Sequence, residues 1–268
     1  MMEIDVLPKT CHCWYVDKET LPDPQWRPFL QQVTRITKSI GIPHNFSNDQ
    51  ALMAADIARP EGATLALSMF PFSFLRSGTN EWTNAGSEYE YIHNTCERFL
   101  GLGIPIGSVL LDPEKFNVVG DLRTSKLGLA FDIVREAFPN ASILWYRNGD
   151  WAPMLDVPND GIRTVACYRI DDPSYTEQVL AHAQQKRDAD AWGVWVTMGS
   201  GYRNGEWRWD AGLDAKDYWW WGRMLAEWPE VQHLLFYPHP TRPVCTTGVP
   251  SFIAFAKGLL GKALDSHS

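Results

Sequence analysis

Short apolar runs alternate with longer amphipathic segments along this chain, and that alternation constrains the fold more than any single motif. Runs at 11–16, 42–46, 63–70, 108–111, 142–146, 163–170, 192–197 and 231–237 are short and apolar, and read as buried strands. Between them, 26–40, 48–58, 87–100, 125–137, 172–188, 216–227 and 249–264 carry apolar residues at helical spacing. Gly41 is expected to stop the first helix, Asn48 to cap the second, and Pro139 to end the helix at 125–137. A strand and helix in regular alternation build a parallel sheet, because a parallel neighbour needs a long crossover. About eight strands in 268 residues match a closed (β/α)8 barrel. The rival, a doubly wound open sheet, normally carries a glycine-rich phosphate turn after its first strand; neither G-x-G-x-x-G nor a Walker A run stands here. The expected fold class is therefore α/β, a (β/α)8 TIM barrel, with one domain over residues 1–268.

Charge and cysteine usage narrow the partners. The net charge is -8 with no basic block, which argues against nucleic acid and gives no polybasic membrane signal. No apolar run approaches a membrane span. The opening segment lacks a basic stretch followed by an apolar one, so no signal peptide is expected and the default compartment is cytoplasmic. Cys11, Cys13, Cys96, Cys167 and Cys245 are an odd, scattered set and read as buried free thiols. Cys11-His12-Cys13 has no second Cys/His pair at zinc spacing, so neither a metal nor another cofactor is expected.

In a barrel of this kind, reactive groups come from the carboxyl ends of the strands. Strand four reads Val109-Leu110-Leu111-Asp112-Pro113-Glu114, an apolar run ending in two carboxylates. Side chains alternate along a strand, so Asp112 and Glu114 share a face, roughly 7 Å apart at Cα. The bland alternative is a strand end followed by a helix-capping acid. Other strand ends are polar and aromatic: His12, Trp14 and Asp17 on strand one; Tyr146, Arg147 and Asn148 on strand five; Tyr168, Arg169, Asp171 and Asp172 on strand six; Tyr237 and His239 on strand eight. Acids, aromatic faces and a few amide or guanidinium donors are what a carbohydrate site needs. Glycoside cleavage requires a protonated carboxyl and a second group that stabilises an oxocarbenium-like centre. Neighbouring carboxylates raise one another's pKa, and burial adds to it. Glu114 is the expected general acid and Asp112 its charged partner.

The Asp-x-Glu at the end of strand four resembles the chitinase-type barrels of glycoside hydrolase family 18 and is similar to the lysozyme-type barrels of family 25. That resemblance implies a glycosidase in which Glu114 is the acid. In the first family the preceding Asp, here Asp112, helps an N-acetyl group act as internal nucleophile, and a strand-six Tyr, matched by Tyr168, assists. Gly107 and Leu110 stand where family 18 carries two further Asp, so the resemblance covers the Asp-x-Glu and the architecture.

Pairing Asp112 with Asp171 or Asp172 would give a galactosidase-like arrangement, although Asp172 before Pro173-Ser174 also reads as a helix-cap turn. An acid on strand seven is disfavoured, because that strand ends Thr197-Met198-Gly199 and the nearest acid is Glu206. Arg147 and Arg169 are either substrate contacts or neutralisers of Asp112 and Asp171. The chain has 13 Trp; the excursion at 199–212, with Trp207, and the cluster Trp219 to Trp221 are candidate sugar contacts. A metal-dependent hydrolase barrel would need His-x-His on strand one, and His44, His182, His233 and His239 are scattered. A non-catalytic glycan-binding barrel would keep the aromatics and need no acid. The expected partner is a carbohydrate substrate.

Overall fold

The computed structural model describes residues 7–14, 16, 18, 21–69, 85–111, 121–147, 161–167, 192–198, 201–203, 206–208, 215–229, 231–238 and 244–264. In chain order the strands are β1 (Thr10–Trp14), β2 (Ser39–Pro43), β3 (Thr64–Met69), β4 (Ile106–Leu111), β5 (Ser142–Arg147), β6 (Ile162–Cys167), β7 (Trp192–Met198), β8 (Gly201–Arg203), β9 (Glu206–Arg208) and β10 (Val231–Pro238). The helices are α1 (Arg27–Thr37), α2 (Asn48–Ala58), α3 (Ala85–Gly101), α4 (Asp121–Ala137), α5 (Ala215–Ala226) and α6 (Val244–Leu259). Eight strands form one parallel sheet in the order β1-β10-β7-β6-β5-β4-β3-β2, and β8 and β9 form a small antiparallel hairpin. The fold is an α/β (β/α)8 barrel, as the alternation predicts.

Local chemistry explains the element ends. Ser47 opens α2 with a capping box: its hydroxyl accepts from Gln50 N–H while the Gln50 side chain accepts from Ser47 N–H. Asn48, expected as the cap, is instead the first helical residue. The first helix stops at Thr37, short of Gly41, because Lys38 turns left-handed at φ 57° and its N–H closes onto Thr34 O. Thr34 and Thr37 spend their hydroxyls on the Leu30 and Val33 carbonyls, a β-branched ending that favours the switch to extended chain. That switch moves β2 to 39–43 rather than 42–46, with Ile40 and Ile42 buried. The last helix likewise spans 244–259 rather than 249–264. The helix expected at 172–188 lies outside the described residues.

The core has two compartments. Leu65, Leu67, Met69, Val109, Leu111, Val194, Val196, Leu234 and Phe236 belong to a continuous buried cluster between strands and helices. Phe236 meets Phe252 and Phe255 of α6 edge-on, at centroid distances of 5.2 and 5.6 Å. The opposite strand parity, with Ala66, Leu110, Leu144 and Leu235, is buried apart from that cluster and fills the barrel. Helices α5 and α6 touch backbone to backbone. A Cβ on Gly222 would strike the Phe255 carbonyl oxygen, and one on Gly258 would strike that of Trp219. Trp221 packs edge-on against Phe255, and Trp219 donates its indole N–H to the Lys262 carbonyl at 2.7 Å. Those two tryptophans therefore serve helix packing rather than sugar contact; Trp220 is the exposed member of the cluster.

Candidate active site

All eight barrel strands are parallel, so their carboxyl ends open on one face. Four of the expected binding residues are brought to that face by the backbone. Trp14 is the last residue of β1, Tyr146 and Arg147 are the last two of β5, and Tyr237 is the penultimate residue of β10. The register pairs Trp14 with Phe236, Tyr146 with Thr164, Arg147 with Val165 and Tyr237 with Thr197. Trp207 lies in β9, opposite Tyr202 of β8. β4 carries Leu111, fully buried, to the same face, and Asp112 is the next residue of the chain. Asp112, Glu114, Asn148, Tyr168, Arg169, Asp171 and His239 lie outside the described residues.

Alternation on the strands identifies the positions that line the lumen. The Ser108 hydroxyl of β4 donates to the His12 carbonyl of β1, 3.1 Å away. Two strands separate β4 from β1, so that bond crosses the interior. Ser108 and Leu110 are therefore inward positions of β4. On the far wall, a Cβ on Gly193 would contact Thr164, Leu235 and His233, which places these four on the inner surface together.

The amino-terminal end of the lumen is polar and is closed by residues that sequence reasoning left scattered. His12, expected near the carboxyl end of strand one, sits at mid-strand and is 5% exposed. Its Nε2 lies 2.6 Å from Nδ1 of His233, the rings tilted by 43°. One nitrogen must carry the proton and the other accept it. Burial, and secondarily the neighbouring His233, push the His12 pKa down to about 3; burial pushes His233 down to about 4. Both rings are thus neutral near pH 7. The register of β1 on β10 slips between Cys11 and Cys13, so His12 is a bulge residue. Its carbonyl is taken by two hydroxyls, Ser39 at 2.5 Å and Ser108 at 3.1 Å. A cavity of about 350 Å³ opens below, lined by Thr10, His12, Ser39, Thr64, Ser108 and Ser142. Cys11 and Cys96 are buried free thiols, and burial pushes each up to about 12. Among the described residues no three His, Cys, Asp or Glu side chains converge as metal ligands. The one signal for the histidine pair is that each lies in an apolar run; their partnership spans 221 residues.

Compared with family models and with curated proteins, the sequence finds no match. Compared with solved structures, it is similar in fold to several glycoside hydrolases. GH5_18 from Streptomyces cattleya, determined in complex with GlcNAc, is 11% identical with a TM-score of 0.63, covering 96% of this chain and 80% of that one. A GH10 xylanase from Thermobacillus composti is 14% identical with a TM-score of 0.56, covering 94% and 97%. The catalytic domain of the major endoglucanase from Xanthomonas campestris pv. campestris is 11% identical with a TM-score of 0.56, covering 97% and 96%. At these identities the likeness establishes the barrel, on which many unrelated chemistries are built; this chain shares the TIM-barrel architecture of those glycoside hydrolases over nearly its whole length.

Proposed function

We propose that this barrel hydrolyses an O-glycosidic bond in a poly- or oligosaccharide, with Glu114 as general acid and Asp112 as its charged partner. The observation that carries the proposal is on β4. Ser108 and Leu110 are inward positions, and the described strand stops at Leu111, directly before Asp112-Pro113-Glu114. We read Asp112 and Glu114, which share the parity of Ser108 and Leu110, as continuing that alternation, and this supports giving them the reactive roles. On β6 Thr164 lines the lumen, and Tyr168, which shares its parity, is our choice over Arg169 as the assisting group. The structural neighbours are named a xylanase and an endoglucanase, and one was solved with GlcNAc, which supports a carbohydrate as the substrate class. Those neighbours carry family 5 and family 10 names, so the likeness to families 18 and 25 rests on the strand-four pair alone.

In the proposed reaction Glu114 donates its proton to the glycosidic oxygen as the bond to the anomeric carbon breaks; a water molecule then completes the hydrolysis by forming the new C–O bond at that carbon, and its proton restores the Glu114 carboxyl. Asp112, or Asp171 from the end of strand six, offsets the positive charge that develops on the sugar. Tyr168 supports that group. Trp14, Tyr146, Arg147, Asn148, Arg169, Trp207, Tyr237 and His239 are the proposed sugar contacts.

Glu114→Gln is the test, read on a panel of soluble glycans. Turnover should fall by a factor of at least 10² while glycan affinity stays within a few-fold. Turnover unchanged in that variant would sink the assignment. Binding without cleavage by the unaltered protein would make this a glycan-binding barrel instead.

A further inference from the structure

A cleft lies beside the carboxyl end of β2, where His44 follows Pro43. The turn after β2 and the helix α3 line this shallow, open cleft of about 550 Å³, with His44, Tyr91, Asn94, Thr95 and Arg98 among its walls. The last four stand at i, i+3, i+4 and i+7 on α3 and so form one stripe of a helical face. Every one of these side chains brings a hydrogen-bonding group, which is unusual for a helix stripe facing a strand end.

Arg98 is the informative member. One Nη2 donates to the His44 carbonyl at 2.5 Å, and the guanidinium lies 4.6 Å from the centroid of Phe99. Its Nε is buried and makes no hydrogen bond. No ion pair joins Arg98 to a carboxylate among the described residues, whereas Arg35, Arg59, Arg135 and Arg223 each have one. A half-buried guanidinium with no counter-ion among the described residues and a donor unmade is costly, and a ligand that supplies the charge lowers that cost. His44 stands edge-on to Tyr91 at 5.2 Å, and its pKa is lowered by burial and by Arg98. The ring is therefore a neutral donor or acceptor at pH 7. The one carboxylate among the described lining residues is Glu90, which is exposed and makes no ion pair with Arg98.

We infer that this cleft binds an oxyanion, the carboxylate or phosphoryl group of a small solute, through Arg98 with Asn94 and Thr95 beside it. Guanidinium meets such a group in a planar, two-point geometry that no neutral ligand reproduces.

The experiment uses the full chain with inorganic phosphate, and separately acetate, titrated at constant ionic strength and followed by calorimetry and thermal unfolding. Wild type should show saturable stabilisation by at least one of the two anions, and comparison of the arms identifies which group the cleft prefers. Arg98→Gln should weaken that binding at least tenfold, while Arg135→Gln on α4 should leave it unchanged. Asn94→Asp, a substitution at an exposed position that adds negative charge, should weaken it comparably and keeps the test decisive if Arg98→Gln does not fold. No saturable effect of either anion on wild type overturns the inference. So does wild-type affinity in Asn94→Asp, or equal loss in Arg135→Gln.

Discussion

Unfolding frees the His12–His233 pair to take up protons that the folded barrel refuses. Their folded pKa values, about 3 and about 4, lie below the ordinary imidazole value of 6.5. The unfolded chain therefore binds more protons between those limits, and stability must rise with pH across them. The contribution of the pair is fully present above pH 6.5 and is lost as pH falls towards 3. For His12, buried at 5% exposure, one pKa unit corresponds to about 1.4 kcal/mol, so the loss between pH 6.5 and 4 is on the order of 2–3 kcal/mol. Urea denaturation at a series of pH values checks this. The double variant His12→Gln/His233→Gln should show a flatter profile below pH 6.5, and a profile as steep as wild type would assign the acid sensitivity elsewhere. No reading of single residues could find this pair. A His in an apolar run looks like any satisfied core histidine until the fold brings a second one to 2.6 Å.

Elements were more legible than their edges. The strands at 108–111, 142–146, 192–197 and 231–237 match the observed β4, β5, β7 and β10 to within two residues, because buried parallel strands read as unbroken apolar runs. The first helix and β2 were misplaced where the patterns overlap: Val33, Ile36 and Ile40 keep helical spacing while Ile40 and Ile42 keep strand spacing. The left-handed Lys38 decides between them, and nothing in a lysine announces that conformation. The β8–β9 hairpin had a usable signal in Asn204-Gly205, the dipeptide between its strands. At this scale the α5–α6 crossing gives a prediction. Gly258→Ala would force apart two helices that meet through backbone, and should destabilise by about 1–3 kcal/mol in chemical denaturation. Ala at Gly128 of α4, where an added Cβ meets nothing within 4 Å, should be neutral or stabilising and serves as the control.

For the whole molecule, closure is the decisive event. β1 and β2 stand at the two ends of the ladder order, and their seam is joined by Val16 N–H to the Gly41 carbonyl and by the Ser39 hydroxyl to the His12 carbonyl. Ser108 reaches the same carbonyl from across the lumen. Because that oxygen has two donors, Ser39→Ala or Ser108→Ala alone should cost less than half of the double variant, which leaves a buried carbonyl unmade and should cost about 1–3 kcal/mol. Additive single costs, measured by the same denaturation, would show that the two hydroxyls act independently.

The sequence by itself determined the class of fold. Hydrophobic periodicity is a local property, and eight strand–helix alternations leave few arrangements open to a chain of this length. Only the tertiary structure decided which strand faces look inward, that His12 and His233 share a proton across 221 residues, and that Arg98 stands without a carboxylate partner among the described residues. Each of these depends on register and on contacts between residues distant in sequence, and a shift of one residue in a strand turns every side chain to the other face.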